Sequence, residues 1–260
     1  MTQPTPLRPG LCSVTFRALP VPTVVELAAA AGLAVIEWGS DVHVPAHDLA
    51  GARETGRRTA DAGLTAGSYG TYIHLGRDHE FGQTIAAAVA LGAPRIRVWA
   101  GTVASASATA AERAAVVAGA RALAAQAEDA GLVVGLEFHD GGLTDTAEST
   151  LALLAEIDRP AVRPYWQPPP GSADPETLAG LDLLLPHVVA VHAYSLSPDA
   201  RWLPLDARRE LWAAVAARLA ARGLPTDVLL EFVRDDDPRR FAEDAQALHA
   251  ILGTALHPKS

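Results

Sequence analysis

With 260 residues, 49% of them hydrophobic, the chain can bury a sizeable core as one large domain or two small ones, and disorder is excluded as its general state. Its net charge of -9 argues against a nucleic-acid or anionic-membrane surface. No run of about 18 uncharged apolar residues offers a membrane span. The single cysteine, Cys12, cannot form an intrachain disulfide, and the opening MTQPTPLRPG lacks the apolar segment of a signal peptide; both point to a reducing, cytoplasmic setting. The only lysine is Lys259, near the C-terminus, so chemistry through a buried lysine Schiff base is not expected.

In chain order, strands are predicted at 11–16 (LCSVTF), 33–38 (LAVIEW), 64–69 (LTAGSY), 95–99 (RIRVW), 132–138 (LVVGLEF), 161–166 (AVRPYW), 187–192 (HVVAVH) and 226–232 (TDVLLEF). Ala- and Leu-rich helical patterns separate them, at 22–31, 46–62, 80–91, 108–130, 146–157, 175–184, 206–222 and 238–252. Several strands follow a helix-ending glycine, as in A-G-L at 31–33, 62–64 and 130–132 and R-G-L at 222–224. Eight strand–helix units without a composition break predict a single (β/α)8 TIM barrel domain over 1–260. A doubly wound open sheet is the alternative, but the segment after the first strand, RALPVPT, has no glycine for a phosphate turn.

Catalytic groups of such a barrel sit at the C-terminal ends of its strands. Here those positions offer Glu37, Tyr69, Trp99, Glu137 with His139, Gln167, His192 and Glu231. A carboxylate inside an apolar strand such as GLVVGLEF or DVLLEF is costly unless compensated. Two glutamates, an imidazole and an amide oxygen on four consecutive strand ends suit a divalent cation of the Mn, Mg or Co type, with Zn also possible. The plainer reading of each residue is a cap, an arginine partner or a hydrogen-bonded core histidine.

Around this cluster, Trp38, Trp99, Trp166 and Trp202 could stack on a sugar ring or pack between barrel and helices. His43 and His47, in the loop EWGSDVHVPAHD, could bind substrate hydroxyls or cap the next helix. His139 falls on the same side as Glu137 if the strand continues. Arg201 could clamp a substrate oxygen or face solvent. The loop RDDDP at 234–238 would repel a phosphate, which favours a neutral sugar, polyol or keto-sugar.

With these strand-end residues in hand, the chain resembles the xylose isomerase-like TIM barrels, also called the sugar phosphate isomerase/epimerase family. The resemblance covers nearly the whole chain through short motifs. It implies that Glu137, Gln167, His192 and Glu231 hold the metal, and that Glu137 and Glu231 exchange the proton beside a ketone as base and acid. The implied activity is an isomerase or epimerase on a non-phosphorylated carbohydrate, working through an enediolate, with a homo-oligomer possible. The sequence departs from the epimerases at the sixth strand, where Q-P-P-P at 167–170 replaces an Asp-Thr-x-His pattern. Loss of that histidine raises the share of a lyase or dehydratase. A non-catalytic sugar-binding barrel is a third reading, which pairing of Glu137 or Glu231 with an arginine would favour.

Overall fold

A computed structural model describes residues 7–256; Lys259 lies outside the described residues. Eight parallel strands close into a barrel: β1 (Leu7–Cys12), β2 (Val35–Gly39), β3 (Thr65–His74), β4 (Arg95–Trp99), β5 (Val133–Leu136), β6 (Val162–Trp166), β7 (Ala190–Ala193) and, after a small hairpin, β10 (Thr226–Leu230). Helices follow them in turn: α1 (Val21–Ala30), α2 (Leu49–Asp61), α3 (Gly82–Leu91), α4 (Ala110–Asp129), α5 (Ala147–Ile157), α6 (Asp174–Leu184), α7 (Arg209–Arg222) and α8 (Pro238–Leu256). The fold is therefore a (β/α)8 barrel, as the alternation predicts. No helix among the described residues is long and apolar enough to cross a membrane.

The first strand departs from the reading. LCSVTF was expected to be extended, yet only Leu11 and Cys12 of it are; Ser13–Phe16 turn into a 3-10 helix, and the strand reaches back through Arg8, Pro9 and Gly10. Pro9 is tolerated because its carbonyl accepts from Ala34 while its missing N–H is not called on there. Gly10 is needed for space: a Cβ would stand 2.4 Å from Val35 Cγ1 and 2.6 Å from Leu229 Cδ2. The loop after β7 holds a further element the pattern did not announce, a hairpin of β8 (Ser195–Leu196) and β9 (Trp202–Leu203).

Alternate residues of each strand face one side, and in a barrel this side is the interior. At the N-terminal end the buried Asp227 of β10 is held by Arg8 Nε at 2.7 Å and by Arg95 of β4. Above it Val35, Tyr165, Ala190 and Leu229 form a small apolar plug. Two residues further along the strands the interior turns polar, with Cys12, Glu37, Arg97 and His192 all buried. Glu137, Gln167 and Glu231 follow at or just past the strand ends. The main core lies outside the barrel wall, where Ile36, Ile96, Val134 and Val228 meet the helices.

Candidate active site

Glu137 and Glu231 stand one residue beyond β5 and β10, so their backbones leave the ladder while their side chains still point over the barrel mouth. Glu137 N still donates to Val98 O at 3.0 Å and Glu231 N to Ala193 O at 3.2 Å. Thr144 Oγ1 caps the Glu137 carbonyl at 2.5 Å. After Glu231 the chain turns sharply: Phe232 has φ of 55°, a left-handed conformation rare for a bulky residue, fixed by its N–H donating to Thr15 Oγ1 at 3.0 Å.

The imidazole of His192 organises the cluster. Its Nδ1 lies 3.1 Å from Gln167 Oε1, 3.3 Å from Glu231 Oε2 and 3.8 Å from Glu137 Oε1. Its Nε2 faces the other way, 3.4 Å from Glu37 Oε1. The four residues expected to share a cation are thus brought around one nitrogen. Adjacent donors of an octahedral ion with bonds of about 2.0–2.1 Å lie about 3 Å apart. The separations from Nδ1 are 3.1–3.8 Å, and since Glu137 does not lie mutually within 4.8 Å of His192 and Glu231, a shared ion would require the two glutamates to draw together.

Arg97 is the residue the sequence reading did not place here. It is 3% exposed and bonds two carboxylates, Glu37 Oε1 from Nε at 2.9 Å and Glu137 Oε2 from Nη1. Trp99 Nε1 donates to the same Glu137 oxygen. Glu137 is therefore arginine-paired, the feature expected of a non-catalytic barrel, but through one oxygen; Oε1 is left facing His192. Glu231 has His192, not an arginine, as its ion-pair partner. Glu37 is further held by Ser68 Oγ and by the thiol of Cys12 at 3.3 Å.

Three carboxylates against one guanidinium leave two negative charges in the cluster when His192 is neutral. Burial disfavours the imidazolium, yet Glu231 and Glu37 outweigh it and push the His192 pKa up to about 10. Burial likewise opposes the charge of Glu37, but Arg97 and His192 hold it well below the usual carboxylate range. Glu231 is lowered too, its desolvation outweighed chiefly by His192. A divalent ion would supply two positive charges where the imidazolium supplies one.

The cluster forms the floor of a cavity of about 430 Å³. Aromatic rings make its walls: Trp99, with Tyr72 at 5.8 Å and His139 stacked on it at 5.1 Å, on one side, and Tyr194, Trp202 and Phe232 in series on the other. The Arg17 guanidinium closes the rim over the Phe232 ring, bonded to Asp41 at 2.7 Å. A second cavity of about 210 Å³, lined by His74, His139 and Asp140, opens onto Glu137 from behind Trp99.

Of the residues expected around the cluster, Trp99, His139 and Trp202 line the main cavity. The other five, Trp38, His43, His47, Trp166 and Arg201, lie elsewhere, His47 exposed before α2. Trp38 is fully buried, its Nε1 donating to Thr59 of α2 at 3.1 Å. His43 bonds Ser13 Oγ and Leu19 O, each at 3.0 Å, and braces the loop after β1. Arg201 turns to solvent and pairs with Asp199 at 2.7 Å. Trp166 packs against Trp212 outside the barrel. Glu37, one of the strand-end groups, joins the cluster, and so do Cys12 and Arg97, which lie on the inward phase of β1 and β4.

A sequence profile described as "Xylose isomerase-like TIM barrel" matches residues 25–251. No match was found among curated proteins. Among solved structures, a xylose isomerase-like TIM barrel protein from Mycobacterium smegmatis in complex with magnesium is similar at a TM-score of 0.74 and 17% identity, over 98% of this chain and 100% of that one. The probable 3-DHS dehydratase of petrobactin synthesis from Bacillus anthracis is similar at 0.71 and 18%, over 97% and 100%. D-Psicose 3-epimerase from Clostridium cellulolyticum H10 is similar at 0.71 and 14%, over 96% and 99%. At these identities the likeness is one of fold.

Proposed function

Because the chain belongs to the xylose isomerase-like TIM barrel family, whose folds include sugar epimerases and a probable dehydratase, we propose that it is a divalent-metal-dependent isomerase or epimerase of a non-phosphorylated keto-sugar. The observation that carries this reading is the ring of Gln167, Glu231 and Glu137 oxygens about His192 Nδ1 on the floor of an aromatic-walled cavity. Bound there by Glu137, Gln167, His192 and Glu231, a Mn, Mg or Co ion would act as a Lewis acid on a substrate carbonyl.

The chain's own residues do the rest. Glu137 and Glu231 reach the cavity from strands on different sides of the barrel mouth, so one can take the proton beside the carbonyl while the other returns it. Arg97 and Trp99 fix Glu137 Oε2, which leaves Oε1 to turn toward substrate or ion. The aromatic walls offer flat faces to a sugar ring and exclude water from it. Selection against phosphate follows from the cations: the cavity's two arginines, Arg17 and Arg97, are both already bonded to carboxylates.

A lyase or dehydratase is the second reading, favoured by Q-P-P-P at 167–170, which offers no histidine beside the sixth-strand ligand. Arg97 bonded to Glu137 supports a third, a sugar-binding barrel without turnover. Metal-stripped protein, reconstituted with Mn and incubated with free ketoses and inososes in deuterated water, separates them by NMR. The proposal expects deuterium beside the carbonyl and an isomeric product, with Glu137→Gln and Glu231→Gln each slower by about 10² or more. Loss of water from the substrate would favour the lyase, and binding without exchange the non-catalytic barrel.

A further inference from the structure

The His192 ring has two occupied faces, and only one of them belongs to the cation position argued above. Its Nε2 is buried without a hydrogen-bond partner, an arrangement that costs free energy unless something else satisfies it. Beside that nitrogen lies a second set of buried donors. Glu37 Oε1 lies 3.4 Å from Nε2 and 3.3 Å from Cys12 Sγ, and Cys12 Sγ lies 3.9 Å from Glu231 Oε1. A Cys12, a His192 and a Glu231 donor atom all fall within 4.8 Å of one another. Glu231 is split between the faces, Oε2 toward Nδ1 and Oε1 toward the thiol.

We propose that Cys12, Glu37, His192 Nε2 and Glu231 Oε1 form a second, inner cation position, of tetrahedral geometry and selective for zinc. Tetrahedral zinc with bonds of about 2.0–2.3 Å places its ligand atoms about 3.3–3.8 Å apart. Glu37 Oε1 is 3.3 Å from Cys12 Sγ and 3.4 Å from His192 Nε2, Cys12 Sγ is 3.9 Å from Glu231 Oε1, and only Cys12, His192 and Glu231 lie mutually within 4.8 Å, so the four donors draw together on binding. The sulfur carries the selectivity, because thiolate favours zinc over magnesium or manganese, while the outer set offers only oxygen and nitrogen. Binding releases the thiol proton to solvent. Arg97 Nε, 2.9 Å from Glu37 Oε1, orients that ligand from outside the coordination shell. Since both positions draw on His192 and Glu231, zinc in the inner one competes with the outer ion. The inference concerns coordination alone and does not depend on the sugar reading.

Cobalt(II) in place of zinc tests it. Because Cys12 is the chain's only cysteine, a sulfur-to-cobalt charge-transfer band in the near ultraviolet has one possible origin. Titrated into metal-stripped, reduced protein, cobalt should give that band together with intense tetrahedral visible bands, and zinc should bleach both. Cys12→Ser, checked for native circular dichroism, should lose the near-ultraviolet band, whereas Gln167→Ala, which alters only the outer set, should keep it. Absence of the band in the wild type at saturating cobalt overturns the proposal, as does its survival in Cys12→Ser or its loss in Gln167→Ala. Deuterium exchange with Mn-loaded protein would stand or fall separately.

Discussion

Replacing Arg97 by Met keeps the length and most of the volume of the side chain and removes the guanidinium shared by Glu37 and Glu137, leaving them only the His192 imidazolium. All three groups are almost wholly buried, so solvent screens neither ion pair. Burial disfavours the guanidinium charge, but the two glutamates keep Arg97 protonated across the accessible pH range. Breaking a buried pair from one side costs about 3–5 kcal/mol, since the remaining charge is uncompensated. Ser68, Cys12 and Trp99 still donate to the stranded carboxylates and hold the loss within that range rather than doubling it. Denaturant unfolding in chelator should therefore place Arg97→Met about 3–5 kcal/mol below wild type. Adding Mn should narrow the gap, because an ion on Glu137 and Glu231 replaces the lost charge, beyond the ~2.7 kcal/mol that any ligand at a hundred times its Kd contributes to both proteins. A deficit below about 1 kcal/mol in chelator would refute the reasoning. So would a deficit that Mn leaves unchanged, since the ion would then not reach Glu137.

Asp227→Asn tests the opposite end of the barrel: losing the charge that holds Arg8 and Arg95 should cost about 3 kcal/mol while leaving metal affinity and the KM of any ketose turned over unchanged, as unfolding and Mn titration would show. Gln167→Glu adds a negative charge to the outer ligand set and removes an amide donor, so Mn should bind more tightly while turnover at saturating metal falls. Calorimetric titration beside rate measurement checks both, and unchanged affinity with unchanged rate would remove Gln167 from the site.

The barrel was legible because eight apolar runs alternate with eight helical patterns, and each predicted helix lies within a few residues of an observed one. The first strand was not, since Arg8, Pro9 and Gly10 look like a turn until Val35 and Leu229 are seen filling the space beside Gly10. Four residues of the site stood out because each is a polar group ending an apolar run. Arg97 did not, and Glu37 was legible as a strand-end group but not as its partner, for the pairing runs across β2 and β4, two strands 60 residues apart in sequence at these positions. Trp38 and His43 read as site residues from their place after a strand, but the phase of β2 sends Trp38 outward against α2, and His43 is drawn to Ser13.

If Glu137 and Glu231 share one divalent ion above the barrel, as proposed, manganese should be visible there. Anomalous diffraction from a crystal soaked in Mn tests it most directly. A peak is expected within coordinating distance of Glu137 Oε1, Gln167 Oε1, His192 Nδ1 and Glu231 Oε2, with Arg97 still bonded to the far oxygen of Glu137. A crystal saturated with Mn that shows no ion within reach of both glutamates would contradict it.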